Sequence, residues 1–214
     1  MRITATDMLG LIDVQPTFMP GGELPVPDGD AVVPLLNRLL AGPFEHAFAT
    51  QDWHPPGHRS FASAHPGAAP FDTVELPYGQ QTLWPDHALQ GSPNAALHPG
   101  LDTRRVELVL RKGFRREIDS YSAFRENDKA TTTGLHGWLQ ERGARRLFLA
   151  GLALDFCVAW SAEDAAALGW EVVVITDACR GIDIPGEAGG SVALALARLQ
   201  ERGVTLVNAG ELTA

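Results

Sequence analysis

Residues 146–179 read RLFLAGLALDFCVAWSAEDAAALGWEVVVITDAC. Two apolar runs of strand length, 146–150 and 171–175, flank a stretch of helical composition at 157–168 that ends on Gly169, a residue able to take the positive φ a helix C-cap favours. Strand, helix and strand in that order give a parallel pair joined by a right-handed crossover. The pattern extends in both directions. Further strand runs lie at 9–14, 46–50, 106–110 and 204–207, and further helical stretches at 30–40, 131–142 and 186–201. Gly143 follows the second of these stretches directly and Gly203 follows the last closely, while Val192, Leu194, Leu196 and Leu199 fall partly on one face. Repeated alternation of this kind predicts an α/β fold: an open, mainly parallel six-stranded sheet with helices on both faces.

At 214 residues the chain suits one domain, 1–214, with a sizeable core. Its 45% hydrophobic and 20% charged residues are those of an ordinary globular protein. The formal charge of −9 is scattered along the chain, so nothing supplies the basic surface that nucleic acid requires. Every apolar stretch is interrupted before membrane-spanning length, which argues against a membrane partner. Cys157 and Cys179 do not make a disulfide framework, and no secretory leader pattern opens the chain, so the expected compartment is the cytoplasm. The region 53–103 breaks the pattern. It is rich in Pro, Gly and His without periodicity, and a stretch this long inside a compact domain is usually functional.

Ligands of open α/β sheets bind beyond the carboxyl ends of the strands. Four chemically useful residues fall at such ends: Asp13, Asp52, Lys112 and Cys157. Cys157 opens a helical stretch, where backbone N–H groups and the helix dipole favour a thiolate and can also bind an oxyanion. A carboxylate such as Asp13 can exchange a proton with the thiol, and an ammonium such as that of Lys112 lowers the pKa of both. Against this, a cysteine is also a small buried hydrophobe, an aspartate a turn cap and a lysine a solvated strand end. Cys179 has no such partners and reads as core.

The segment QDWHPPGH places Asp52, His54 and His58 close together, and His87 follows in LWPDH. Carboxylate and imidazole donors two residues apart on an extended segment suit a divalent transition metal. His46, His65, His98 and His136 read as surface or hydrogen-bonded residues instead. Phe18, Trp53 and Trp84 lie near these groups, and aromatics there either pack or sandwich a planar ring.

Taken together, LIDVQPTF, QDWHPPGHRSF, TLWPDHALQGSPNAALHPGL, RKGF, GLALDFCV and VVVITDAC resemble the isochorismatase-like cysteine hydrolases, and within them the nicotinamidases (pyrazinamidases), in order and spacing over nearly the whole chain. The resemblance implies the isochorismatase-like, Rossmann-like three-layer fold and a catalytic triad of Asp13, Lys112 and Cys157. It also implies an oxyanion hole at the amides of Ala153 and Cys157, and a cis peptide between Leu152 and Ala153. Phe18 and Trp84 would clamp a pyridine ring. Asp52, His54 and His87 would hold one divalent ion, zinc, iron or manganese, with His58 a further ligand in some members only.

The implied activity is hydrolysis of nicotinamide to nicotinate and ammonia through a cysteine thioester, a step of pyridine nucleotide biosynthesis and NAD salvage. The expected partner is a small molecule, nicotinamide or an analogue, and whether the chain forms a homo-oligomer is left open. Three departures stand out. Pro16 and Thr17 replace the amide and acid of the usual DVQNDF, Ala88 follows His87 in place of cysteine, and Leu154 replaces a threonine. The alternative within the hydrolases is a metal-independent isochorismatase-like enzyme acting on another small amide or carbamoyl compound. From another class, a redox or metal-storage module would pair Cys157 with Cys179.

Overall fold

The computed structural model describes residues 1–186 and 189–214. All six expected strand runs enter one sheet: β1 (Asp7–Ile12), β2 (His46–Asp52), β5 (Val106–Lys112), β6 (Arg146–Gly151), β7 (Glu171–Cys179) and β8 (Thr205–Val207), every pairing parallel, in the order β5-β2-β1-β6-β7-β8. β1 lies in the middle and is buried at every position. Strands covered on both faces read as continuous apolar runs, which is why 8–12 shows no alternation. The edge strand β5 does alternate between half-buried and exposed positions.

Four helices connect these strands: α1 (Val32–Ala41), α2 (Leu135–Glu141), α3 (Ala159–Ala167) and α4 (Ser191–Glu201). α1 takes the chain from β1 toward the β5 edge, whereas α3 and α4 take it toward the β8 edge. Right-handed crossovers in opposite directions place α1 on one face and α3 with α4 on the other. α1 packs on β6 and β7, and α3 packs on β7 and α4. The expected helix at 186–201 therefore begins later, and residues 187–188 lie outside the described residues. No helix among the described residues is long and apolar enough to cross a membrane.

The region 53–103 is not wholly irregular. It holds an antiparallel hairpin, β3 (Thr73–Leu76) and β4 (Gly79–Thr82). Its strands, TVEL and GQQT, are short and largely polar, so they carry too little apolar alternation for a sequence reading to find.

The middle of the sheet tolerates no side chain at Gly151, the last residue of β6. Its φ is +122° and a Cβ built there lies 2.2 Å from the carbonyl oxygen of Ile12. We expect Gly151→Ala to lose about 2 kcal/mol or more in urea unfolding, combining backbone strain with a clash against main chain. An unchanged midpoint would show that β1 and β6 are not held at this separation.

Candidate active site

The strand order reverses at β1: the chain moves to β2 on one side and later starts again at β6 on the other. A crevice opens beyond the carboxyl ends of strands at such a point. Asp13 follows β1, Asp52 ends β2, Lys112 ends β5, and Cys157 lies in a π-type turn, Leu154–Val158, between β6 and α3. Asp52 and Lys112 are register partners across β2 and β5, so the sheet itself sets them side by side.

Lys112 is the hub. Its side chain is fully buried, and Nζ lies 2.8 Å from Asp13 Oδ2, 3.4 Å from Cys157 Sγ and 3.0 Å from the carbonyl of Ser120, and contacts Asp52 Oδ1. Burial disfavours the ammonium, but the carboxylates of Asp13 and Asp52 outweigh it and hold the lysine charged well above its usual range. Burial likewise acts against the Asp52 carboxylate, and Lys112 together with the His54 and His87 imidazoles overcomes it, keeping that group well below the usual carboxylate range. For Asp13 the balance falls the other way. Burial, with Asp52 adding repulsion, raises it despite Lys112 and the 2.6 Å hydrogen bond that Thr50 donates to its Oδ1. Its Oδ2 has only the lysine ion pair and no directed hydrogen bond, and Asp13 sits at φ +46°, a strained conformation for a non-glycine residue.

The thiol expectation needs correction. Burial pushes the Cys157 thiol well above its normal range, and the carboxylates add to that against the opposing pull of Lys112. Cys157 sits in the turn that precedes α3, which begins only at Ala159. Desolvation is the largest influence on the thiol and favours its protonated form. The peptide between Leu152 and Ala153 is cis. The carbonyl of Ala153 accepts from the amides of Phe156 and Val158, on either side of the Cys157 amide.

Beside this triad, one carboxylate faces two imidazoles. His54 Nδ1 donates to the carbonyl of Gly113 at 2.8 Å and His87 Nδ1 to that of Pro85 at 2.9 Å, which leaves both Nε2 lone pairs free. Each Nε2 lies 3.6 Å from Asp52 Oδ2, and His54 Nε2 is buried without a hydrogen-bond partner. Two neutral nitrogens and a carboxylate oxygen converging in this way are the donor set of a divalent metal site. Gly113 makes room for it: its φ is +65°, and a Cβ there would fall 2.4 Å from the His54 ring. His58 is drawn elsewhere. Its Nδ1 pairs with Ser60 Oγ at 2.7 Å, its Nε2 lies 3.3 Å from the carbonyl of Ile118, and it groups with His54 and Asp119 rather than with Asp52 and His87.

Two of the sequence departures touch one another. The amide of Ala88, a residue at φ +46°, donates to Thr17 Oγ1 at 3.1 Å, so the replacements on the first loop and after His87 form one contact.

A cavity opens onto Cys157. Phe18, Trp84, Tyr121, Phe156, Leu24 and Ile182 wall it, with Asp52, His87 and Asp119 on one side and Ala153 beside the sulfur. Trp84 and Phe156 meet edge-on at 4.9 Å between centroids, and Tyr121 and Phe156 at 5.6 Å. Trp53 is not among the lining residues; its ring lies under the Arg111 guanidinium at 3.8 Å. His46, His65, His98 and His136 have partners away from the site: Glu107, the carbonyl of Arg59, the amide of Gly100 and the Trp170 indole respectively. Sequence reasoning missed Leu24, Asp119, Tyr121, Phe156 and Ile182.

A family model described as an isochorismatase domain matches residues 7–211. The chain belongs to the isochorismatase family. Within that family it is 52% identical to the nicotinamidase of Acinetobacter baylyi over 82% of either chain. A solved structure of the Acinetobacter baumannii nicotinamidase/pyrazinamidase superposes with a TM-score of 0.93 at 47% identity, over 97% of this chain and 98% of the other. The PnC1 protein of Leishmania infantum, solved with nicotinate, superposes with a TM-score of 0.86 at 39% identity, over 100% of this chain and 98% of the other.

Cys179 serves as a contrast to Cys157 within this isochorismatase-family site. Burial pushes its thiol up to about 12, and it turns toward the carbonyl of Ile175 at 3.3 Å. Both cysteines are free. Iodoacetamide at pH 8 should leave Cys179 unmodified in the native chain, and Cys179→Ala should keep activity within about twofold, as read by peptide mass and turnover. Joint, reversible loss of both thiols under mild oxidant would instead favour a redox pair.

Proposed function

We propose that this chain hydrolyses nicotinamide to nicotinate and ammonia, with Cys157 as nucleophile. The observation that carries the reading is Cys157 Sγ lining an aromatic-walled cavity, with the Lys112 ammonium buried against it and the Asp13 carboxylate paired to that ammonium. Phe18 and Trp84 hold a flat ring and present its carboxamide carbon to the sulfur, so that attack becomes effectively intramolecular.

The resting proton lies on sulfur, and Asp13 Oδ2 is the acceptor for it. As Sγ bonds to the carboxamide carbon, its proton passes to Asp13, and Lys112 balances the negative charge as it moves. The carbonyl oxygen becomes an oxyanion, bound by the amides of Ala153 and Cys157. Asp13 then returns the proton to the amine nitrogen, the carbon–nitrogen bond breaks and ammonia leaves a thioester. A water gives one proton to Asp13 while its oxygen attacks the thioester carbon. Collapse expels the sulfur, which recovers that proton, and the product leaves after giving its remaining acid proton to solvent or ammonia, as nicotinate.

Asp52, His54 and His87 would hold one divalent ion. Their two-nitrogen, one-carboxylate set suits zinc and is also open to iron or manganese, while His58 stays outside it. Bound there, the ion supplies a Lewis-acid contact for the ring nitrogen. The wall of the cavity is mostly aromatic and aliphatic, which suits a flat, neutral ring amide.

The test is ammonia release from nicotinamide by the purified chain. Cys157→Ala should lower kcat/KM by about 10⁴-fold or more while bound metal, measured by mass spectrometry of the element, stays stoichiometric. His54→Ala should lose the metal. Retained turnover in the first variant would reject the mechanism, and undiminished metal in the second would reject the ligand assignment.

A further inference from the structure

Gln81, on the hairpin strand β4, is buried to 1% exposure and does not line the cavity, yet two cavity-wall residues, Asp119 and Tyr121, meet at its amide. Its Nε2 donates to Tyr121 Oη at 2.6 Å and to the carbonyl of Thr82 at 2.6 Å, and lies 3.4 Å from Asp119 Oδ2. Its Oε1 accepts from Asn127 Nδ2 at 3.1 Å and Tyr78 Oη at 3.2 Å. The Thr82 carbonyl on one side and the Asn127 amide on the other fix which end is nitrogen. Tyr121 Oη accepts a second bond, from Trp84 Nε1 at 3.0 Å. The tyrosine oxygen is therefore the shared acceptor of two donors from the same stretch of chain, one at Gln81 and one on the ring wall itself.

We propose that Gln81 is a positioning residue for the ring-binding wall: its amide pins the Tyr121 hydroxyl, which in turn fixes the plane of the Trp84 indole, and so it sets the selection for flat heteroaromatic carboxamides over open-chain amides. This deepens the function proposed above and rests on it. The physical basis is that Trp84 and Tyr121 touch Phe156 only edge-on, contacts that are shallow in angle, whereas the hydrogen bonds are directional. Without the Gln81 donor, Tyr121 Oη is free to turn, and the indole loses its fixed partner. The sulfur, Asp13 and Lys112 are held chiefly by β1, β5 and the turn after β6, and Gln81 approaches them only through Asp119 and Tyr121, which flank the Ser120 carbonyl that Lys112 contacts, so its main effect falls on ring binding.

The experiment is steady-state hydrolysis of nicotinamide by the unaltered chain, Gln81→Met, Tyr121→Phe and the double variant, with acetamide as the open-chain comparison. Methionine matches glutamine in length and removes the amide. We expect Gln81→Met to raise the nicotinamide KM by about tenfold with kcat within about threefold, and to leave kcat/KM for acetamide unchanged. The double variant should be no worse in KM than Tyr121→Phe alone, because losing the hydroxyl already removes both the Gln81 and the Trp84 bonds. Effects on KM that multiply in the double variant, a fall confined to kcat, or an equal loss on both substrates overturns the proposal; a lowered melting temperature with unchanged KM marks Gln81 as structural only and overturns it too. If Gln81→Met does not fold, Tyr121→Phe carries the test, and an unaltered KM there overturns it. Turnover of nicotinamide by the unaltered chain with unaffected variants sinks this inference alone, whereas no turnover by the unaltered chain sinks the reading beneath it as well.

Discussion

One ammonium group holds this site together. Lys112 Nζ sits without solvent between the carboxylates of Asp13 and Asp52 and against Cys157 Sγ. Two acids and a thiol at such separations repel one another when ionised, and in a low dielectric that repulsion is unaffordable unless a cation lies among them. The sheet supplies the cation by register, since Lys112 and Asp52 are opposite one another at the ends of neighbouring strands. Asp13, just past the next strand, completes the arrangement from the other side of Asp52.

The division of charge follows from this. Asp52 remains a carboxylate and turns its second oxygen to His54 and His87, so it links the charge cluster to the metal-type donor set. Asp13 is held less firmly as an anion, with one oxygen bonded by Thr50 and the other lacking a directed partner. A carboxylate that is easily protonated beside a thiol that is hard to deprotonate is a pair able to pass one proton in either direction.

The strand ends were legible because the fold is read from apolar runs, and the chemistry of an open sheet sits one residue beyond them. That rule singled out Asp13, Asp52 and Lys112 at strand ends and Cys157 in the turn after one, but it left a structural alternative for Asp13, Lys112 and Cys157, and their reading as a triad came from the family resemblance. Asp119, Tyr121 and Ile182 were not legible, since they lie on loops with no periodicity and reach the cavity through long-range packing. Gln81 was hidden by a hairpin too short and too polar to announce itself. The thiol differs from expectation for another reason: position at a helix start can be read from a sequence, but desolvation cannot, and burial raises this thiol.

The claim that Lys112 is what permits two buried carboxylates can be measured directly by a double-mutant cycle in urea, with chelator present, using Lys112→Met, Asp52→Asn and the combination. A loss of about 3 to 5 kcal/mol is expected for Lys112→Met, with the combined variant no less stable than Lys112→Met alone, because the stranded charge is gone. Losses that simply add would contradict the account.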